Sequence, residues 1–305
     1  MHHSSACEAS NGAVSLGLSS RISDFYELSK PRIISLLLIT TYAAMVMAQR
    51  GFPSLRVTFW TLLGGALAAA SAGAFNCVLD RDIDRLMRRT QNRPLPAERM
   101  TVRAAIIFAT STCVLSFAIF CLGVNPLAAW LALAGNLYYV VIYTLWLKRT
   151  TPLNIVIGGA AGAVPPLVGW AAITHSVGLP ALGLFAIIFL WTPPHFWALA
   201  LMTETDYHKA RIPMLPNVAG VARTKVEILV YAIVLVLFSL ALFPLHVMGP
   251  IYFAAAAILG SIFLIDAIGT LRSEGHLWPR RLFTYSLLYL ALICLAMVTD
   301  RILLS

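Results

Sequence analysis

Charge is what this chain has least of. Asp, Glu, Lys and Arg make up 11% of its residues, under half of the roughly 25% usual in soluble domains, and the mean hydropathy is +0.82. A water-soluble two-domain protein, the ordinary expectation for 305 residues, is excluded. Cysteine supplies no framework either. Cys7, Cys77, Cys113, Cys121 and Cys294 contain no CxxC pair and no metal-type spacing with histidine, so they read as small buried apolar residues. The first twenty or so residues are rich in Ser, Ala and Gly and lack the apolar core of a cleaved signal or the Arg-rich character of a transit segment. Residues 1–24 are therefore expected to form a disordered cytoplasmic tail, and 25–305 a single membrane domain.

What the chain has instead is long uncharged runs. About twenty apolar residues cross a bilayer, and dividing the runs at their Gly, Pro and Asn breaks predicts an all-α polytopic protein with nine transmembrane helices. These fall at about 33–49, 57–80, 104–122, 126–147, 153–174, 181–203, 228–246, 250–270 and 282–300. The net charge of +9 does not point to nucleic acid, because the bases are confined to alternate loops. Of the 22 Lys and Arg, all but Arg50, Arg56 and Arg301 fall on one side of this topology. The positive-inside rule then places the N-terminus in the cytoplasm and the C-terminus outside.

The first dense charge cluster is Asn76-Cys-Val-Leu-Asp80-Arg-Asp-Ile-Asp84, at the inner end of the second helix. Residues four apart on a helix drift by about 40° and rise by roughly 6 Å, so Asn76, Asp80 and Asp84 share a face and Asp82 points away. An amide and two carboxylates in a row are hard oxygen ligands of the kind Mg²⁺ takes while it also holds substrate phosphates. Spacing alone suits a solvated helix end equally well, its acids offset by Arg81, Arg85, Arg88 and Arg89. A second acidic end, Glu204-Thr-Asp206-Tyr-His-Lys209, closes the sixth helix. If the two ends converge, Asp80, Asp84 and Asp206 could hold metal on a shared diphosphate, with Arg88, Arg93, Lys148, Arg149 and Lys209 neutralising its oxygens.

His195, in Trp191-Thr-Pro-Pro-His-Phe-Trp-Ala-Leu-Ala200, lies eleven residues before Asp206. On one continuous helix it would share Asp206's face, roughly 16 Å deeper. Intramembrane ionisable residues point to function by default, and imidazole is a usual ligand or contact for haem iron. The other reading is a neutral histidine bonded to carbonyls freed by Pro193 and Pro194. Gly158, Gly159 and Gly162 with Pro165-Pro166 suit close helix packing or a cavity wall. Asp266 has no motif partner, and Tyr143, Trp146, Trp170 and Trp278 read as interface anchors.

These residues resemble a known family. Asn76-x-x-x-Asp80-x-x-x-Asp84 is similar to the first aspartate motif of the UbiA superfamily of intramembrane prenyltransferases. The strings Asn76 to Leu95, Thr151-Pro-Leu-Asn-Ile-Val-Ile-Gly-Gly-Ala160, Pro194-His-Phe-Trp-Ala-Leu-Ala200 and Pro213-Met-Leu-Pro216 resemble its haem O synthase branch, over roughly residues 25–300. One departure is Met202, which stands four before Asp206 where other branches carry an acid; Glu204 is the nearest substitute. The resemblance implies a farnesyl group moved from farnesyl diphosphate to a vinyl group of haem B, with water added and diphosphate released. It implies Mg²⁺ on Asp80, Asp84 and Asp206, Asn76 orienting, the macrocycle held by His195, and a bacterial inner membrane location. A haem A synthase or terminal oxidase assembly factor would then be a natural partner. The competing readings are a prenyltransferase for an aromatic quinone precursor, which would not need the His195 string, and a secondary transporter, whose coupling residues would sit nearer the midplane.

Overall fold

Residues 18–304 are described by the computed structural model, and all of their regular structure is helical. Among them, nine helices are long and apolar enough to cross a membrane. They are α2 (Pro31–Gln49), α3 (Leu55–Leu79), α5 (Val102–Gly123), α6 (Pro126–Thr150), α7 (Asn154–Thr174), α8 (Leu179–Met202), α10 (Leu215–Ala241), α11 (Pro250–Arg272) and α12 (Leu277–Leu303). Three short helices lie between or before them: α1 (Leu18–Ser29), α4 (Arg81–Leu86) and α9 (Glu204–Lys209). Proline at the first turn of α2, α6, α8, α10 and α11 starts each where its missing N–H costs nothing. Asn125 caps α6, its side chain accepting from Ala128 N at 2.9 Å and donating to the Ala171 carbonyl at 2.8 Å.

Several expected boundaries move, among them the start of α12, at Leu277 rather than 282. Residues 1–17 lie outside the described residues, but 18–24, expected in the disordered tail, belong to α1. Its inner face buries Asp24 and Leu28 while Ile22 and Tyr26 stay exposed, and Arg99 anchors it through Asp24 at 3.2 Å and Glu27 at 2.6 Å. Helix α10 begins at Leu215 rather than 228, because its polar first turns project beyond the apolar run and carry an Arg223–Glu227 pair at 2.5 Å. Gly220 interrupts those turns with φ +84°, a backbone that only glycine adopts freely. The end of α10 at Ala241 also precedes the expected 246.

Consecutive spans pack side by side around a closed ring, and α12 returns to α2. Cross-contacts, foremost α2 with α7 and α8 with α12, tie the ring together. At the first, a Cβ on Gly169 would lie 2.1 Å from the Thr41 carbonyl oxygen, so the two backbones touch. Small residues permit such approaches where lipid gives no hydrophobic drive for helix association. The outer surface keeps large apolar side chains such as Leu122, Trp130 and Leu237 exposed, as lipid-facing positions require.

Buried Asp300 on α12 accepts the Gly249 N–H at 2.5 Å and the Tyr252 N–H at 3.1 Å, capping α11 from a neighbouring helix. Helix N-termini favour such an anion. Asp300→Ala is expected to cost about 1–3 kcal/mol by leaving those donors unmade, with Asp300→Asn losing less. Thermal unfolding in detergent would read the difference.

Candidate active site at the charged helix ends

Helix α3 does not run straight through its acidic motif. It ends at Leu79, Asp80 adopts φ −93° and ψ 5°, and α4 starts afresh at Arg81. The i to i−4 ladder nevertheless continues across the bend, from Asp80 N to the Asn76 carbonyl at 2.9 Å and from Asp84 N to the Asp80 carbonyl at 2.8 Å. Asn76, Asp80 and Asp84 therefore stay together and are buried, each no more than 3% exposed. Asn76 Nδ2 donates to Asp80 Oδ2 at 2.7 Å and to Thr144 Oγ1 at 3.1 Å. Lys148 Nζ also donates to Asp80 Oδ2, and Arg93 pairs with Asp84 Oδ2 at 2.7 Å. Burial opposes the charge on Arg93, but Asp84 outweighs it and holds the guanidinium above its ordinary pKa.

Two further members were not foreseen. Lys30 donates through Nζ to Asn76 Oδ1, and Thr144 reaches the group because α6 is a π-helix over Tyr138–Leu147. Thr144 Oγ1 donates to the Tyr139 carbonyl, five residues back, at 2.9 Å. A π-turn shifts the register by about one residue, and such turns concentrate at functional sites. No periodicity argument would have found it.

Asp82 points away as expected, and it takes Arg149 with it. Arg149 donates to both Asp82 oxygens at 2.8 Å and to the Leu79 carbonyl at 2.6 Å, so it braces the α3–α4 bend and does not face the Asp80 group. The Arg149 hydrogen bond pulls the Asp82 carboxyl from 3.8 down to about 2. A depressed carboxyl adds stability that is complete above its unfolded pKa and is lost as pH falls through the folded one. The thermal midpoints of wild type and Asp82→Asn should therefore differ at pH 7 and converge between pH 4 and 2. The pair is largely solvated, so the difference at pH 7 stays under about 1 kcal/mol.

The second acidic end meets the first through apolar packing. Ile83 and Met87 of the first pack with Tyr207, Ala210, Ile212 and Met214 of the second, and Arg89 reaches the Tyr207 hydroxyl, whose pKa burial raises. Asp206 itself is partly exposed, and Arg88 and Lys209 are exposed; none of the three forms a salt bridge among the described residues. No three His, Cys, Asp or Glu side chains among the described residues gather closely enough to cage a metal, Asp206 with Asp80 and Asp84 included. What the first end does offer is Asp80 Oδ1, buried and without a donor. That orphaned oxygen, beside a second carboxylate, fits Mg²⁺, which is commonly held by one or two carboxylates plus substrate phosphates.

His195 lies apart from this group. Helix α8 breaks at Thr203, where φ is −126°, so the phase relation expected between His195 and Asp206 does not carry through. His195 Nδ1 lies 2.6 Å from Ser286 Oγ on α12, and the ring stacks between Trp191 at 4.3 Å and Phe283 at 4.6 Å. It bonds to none of the carbonyls freed by Pro193 and Pro194. Ser286 spends its hydroxyl hydrogen on the Phe283 carbonyl at 2.7 Å, so Nδ1 must carry the proton and Nε2 keeps its lone pair. Asp266, left open above, pairs with Arg281 Nε at 2.8 Å. Gly158 packs on Tyr143, leaving no room for a Cβ, which would fall 2.2 Å from the ring.

At the end of a membrane helix, then, lies a buried Asn-Asp-Asp row contacted by Lys30, Arg93 and Lys148. The profile of the UbiA prenyltransferase family matches residues 37–298. This chain belongs to that family. The UbiA fold is also what its structural neighbours show. A structure titled for digeranylgeranylglyceryl phosphate synthase superposes with a TM-score of 0.77 at 18% identity, covering 93% of this chain and 99% of that one. An Archaeoglobus fulgidus UbiA homolog bound to GPP and Mg²⁺ gives 0.65 at 18% identity, covering 90% and 99%. Among sequences, the protoheme IX farnesyltransferase of Gloeobacter violaceus is 53% identical over 286 residues, which is 93% of this UbiA chain and 94% of that protein. Family membership removes the transporter reading.

Proposed function

We propose that this UbiA protein converts haem B to haem O, using farnesyl diphosphate and water and releasing diphosphate. The observation that carries the acceptor is the 53% identity, over 93% of this chain and 94% of the other, to a protein named protoheme IX farnesyltransferase. Asp80, through Oδ1, and Asp84 would hold Mg²⁺, with Asp206 approaching from the α9 side. Bound there, the ion would neutralise charge developing on the departing diphosphate.

The chain's own residues do the rest. Arg93 and Lys148 turn their charges from the carboxylates toward the diphosphate oxygens, Arg93 in a fork and Lys148 as a point charge, with Arg88 and Lys209 at the cytoplasmic mouth. The bond between farnesyl C1 and oxygen breaks, its electron pair leaves with diphosphate, and an allylic cation remains. Apolar walls exclude bulk water long enough for a haem vinyl group to attack that cation. Water then adds to the resulting benzylic-type carbon and loses a proton to give the hydroxyl. His195, its Nδ1 engaged by Ser286, offers Nε2 to the macrocycle iron, which sets the depth of the acceptor. The basic loops face the cytoplasm of a bacterial inner membrane, with the C-terminus outside.

The test is product formation by purified protein in detergent, given haem B, farnesyl diphosphate and Mg²⁺, with an aromatic acid as rival acceptor. Haem O supports the proposal, and prenylated aromatic acid without haem O moves the chain to the quinone-precursor reading. His195→Ala should abolish the bound-haem spectrum while farnesyl diphosphate binding persists.

A further inference from the structure

Lys30 belongs to no acidic motif, yet it lies at the centre of the site. It sits between α1 and α2 with φ 59° and ψ 59°, a left-handed backbone that is strained for a non-glycine residue. Pro31 follows and disfavours the right-handed alternative. The turn brings Nζ to Asn76 Oδ1, on a helix 46 residues further along the chain. Burial lowers the Lys30 pKa, while the charges of Asp80 and Asp84 act to raise it.

The chemistry of that contact removes an ambiguity. A carboxamide can turn over and exchange its oxygen and nitrogen, but an ammonium has three donors and no acceptor, so only the oxygen can face it. With Oδ1 committed to Lys30, Nδ2 must face Asp80 and Thr144, as the 2.7 and 3.1 Å contacts show. Asn76 and Lys148 then both donate to Oδ2 of Asp80. Oδ1 alone is left without a donor.

We propose that Lys30 is a positioning residue: by fixing the orientation of the Asn76 amide, it selects which oxygen of Asp80 is presented to a divalent cation. This rests on the assignment of Asp80 to the metal made above. The rival role is a direct contact from Lys30 to the diphosphate, and the two differ in a double-mutant cycle. Mn²⁺ binding, followed by electron paramagnetic resonance on the full-length protein in detergent without substrate, is the readout. Lys30→Met should weaken Mn²⁺ binding by about tenfold, the usual scale for losing a group that orients a metal ligand. Asn76→Ala should cost as much, and the double variant no more than either alone. Lys30→Arg, still a pure donor, should bind nearly as wild type. Unchanged Mn²⁺ affinity in Lys30→Met, or losses that multiply in the double variant, would overturn the proposal. If Lys30→Met does not give a monodisperse protein, Lys30→Gln is read the same way, since its acceptor lets the amide turn. Haem O formation is measured on the same wild-type preparation. Its absence counts against the function, whereas multiplying losses in a haem-O-forming protein count against Lys30 alone.

Discussion

Asp80→Asn should lower haem O formation by about 10²–10³-fold while leaving the protein folded. The magnitude is that of removing one preorganised group that stabilises transition-state charge, ~3–4 kcal/mol at 1.36 kcal/mol per tenfold. The fold should survive because asparagine has the same shape and its oxygen can still accept from Asn76 and Lys148, the two donors on Oδ2. What the amide cannot reproduce is the anionic Oδ1 that now has no donor. Single-turnover rates, together with thermal unfolding of the same preparation, check both halves. Rates within a few-fold of wild type would mean that the metal is held elsewhere, and a collapsed melting temperature would mean that Asp80 is chiefly structural.

The second large effect concerns packing. Gly169→Val should prevent α2 and α7 from meeting and leave little folded protein, because a Cβ there would lie 2.1 Å from the Thr41 carbonyl oxygen and 2.9 Å from its carbon. The obstacle is backbone, which cannot swing aside as a side chain can, so the cost should exceed the usual 1–3 kcal/mol of an overpacked core. Size-exclusion profiles of the solubilised variant would show it. Gly162, with no atom within 4 Å of its would-be Cβ, is the control: Gly162→Ala should be tolerated.

The spans were legible because an apolar run must be about twenty residues long to cross lipid, and this chain punctuates its runs with Gly and Pro. The Asn76, Asp80, Asp84 row was legible because the i to i−4 ladder survives the bend at Asp80. Lys30 and Thr144 were not, for two physical reasons. Lys30 acts across 46 residues of chain, and Thr144 is turned inward by a π-helix that no apolar periodicity announces. Lys148 and Arg149 show the same limit: they are neighbours in sequence, yet one faces Asp80 and the other braces Asp82. His195 stands out in the sequence as an intramembrane histidine, but only the structure shows that its ring is sandwiched and that its Nδ1 meets Ser286.

The closed ring has a consequence for synthesis. Of the nine described spans, α2 emerges from the ribosome first, and its neighbour α12 follows the other eight. Eight inserted helices therefore still have an open seam. Until the final segment arrives, the His195 ring lacks Ser286, Trp191 lacks the Ser286 carbonyl it meets at 2.7 Å, and α11 lacks the Asp300 carboxylate over its first turn. Nascent chains stalled before Leu277 should accordingly remain open to quality-control proteases, and resistance should appear abruptly once α12 is released, because one helix satisfies all three groups together.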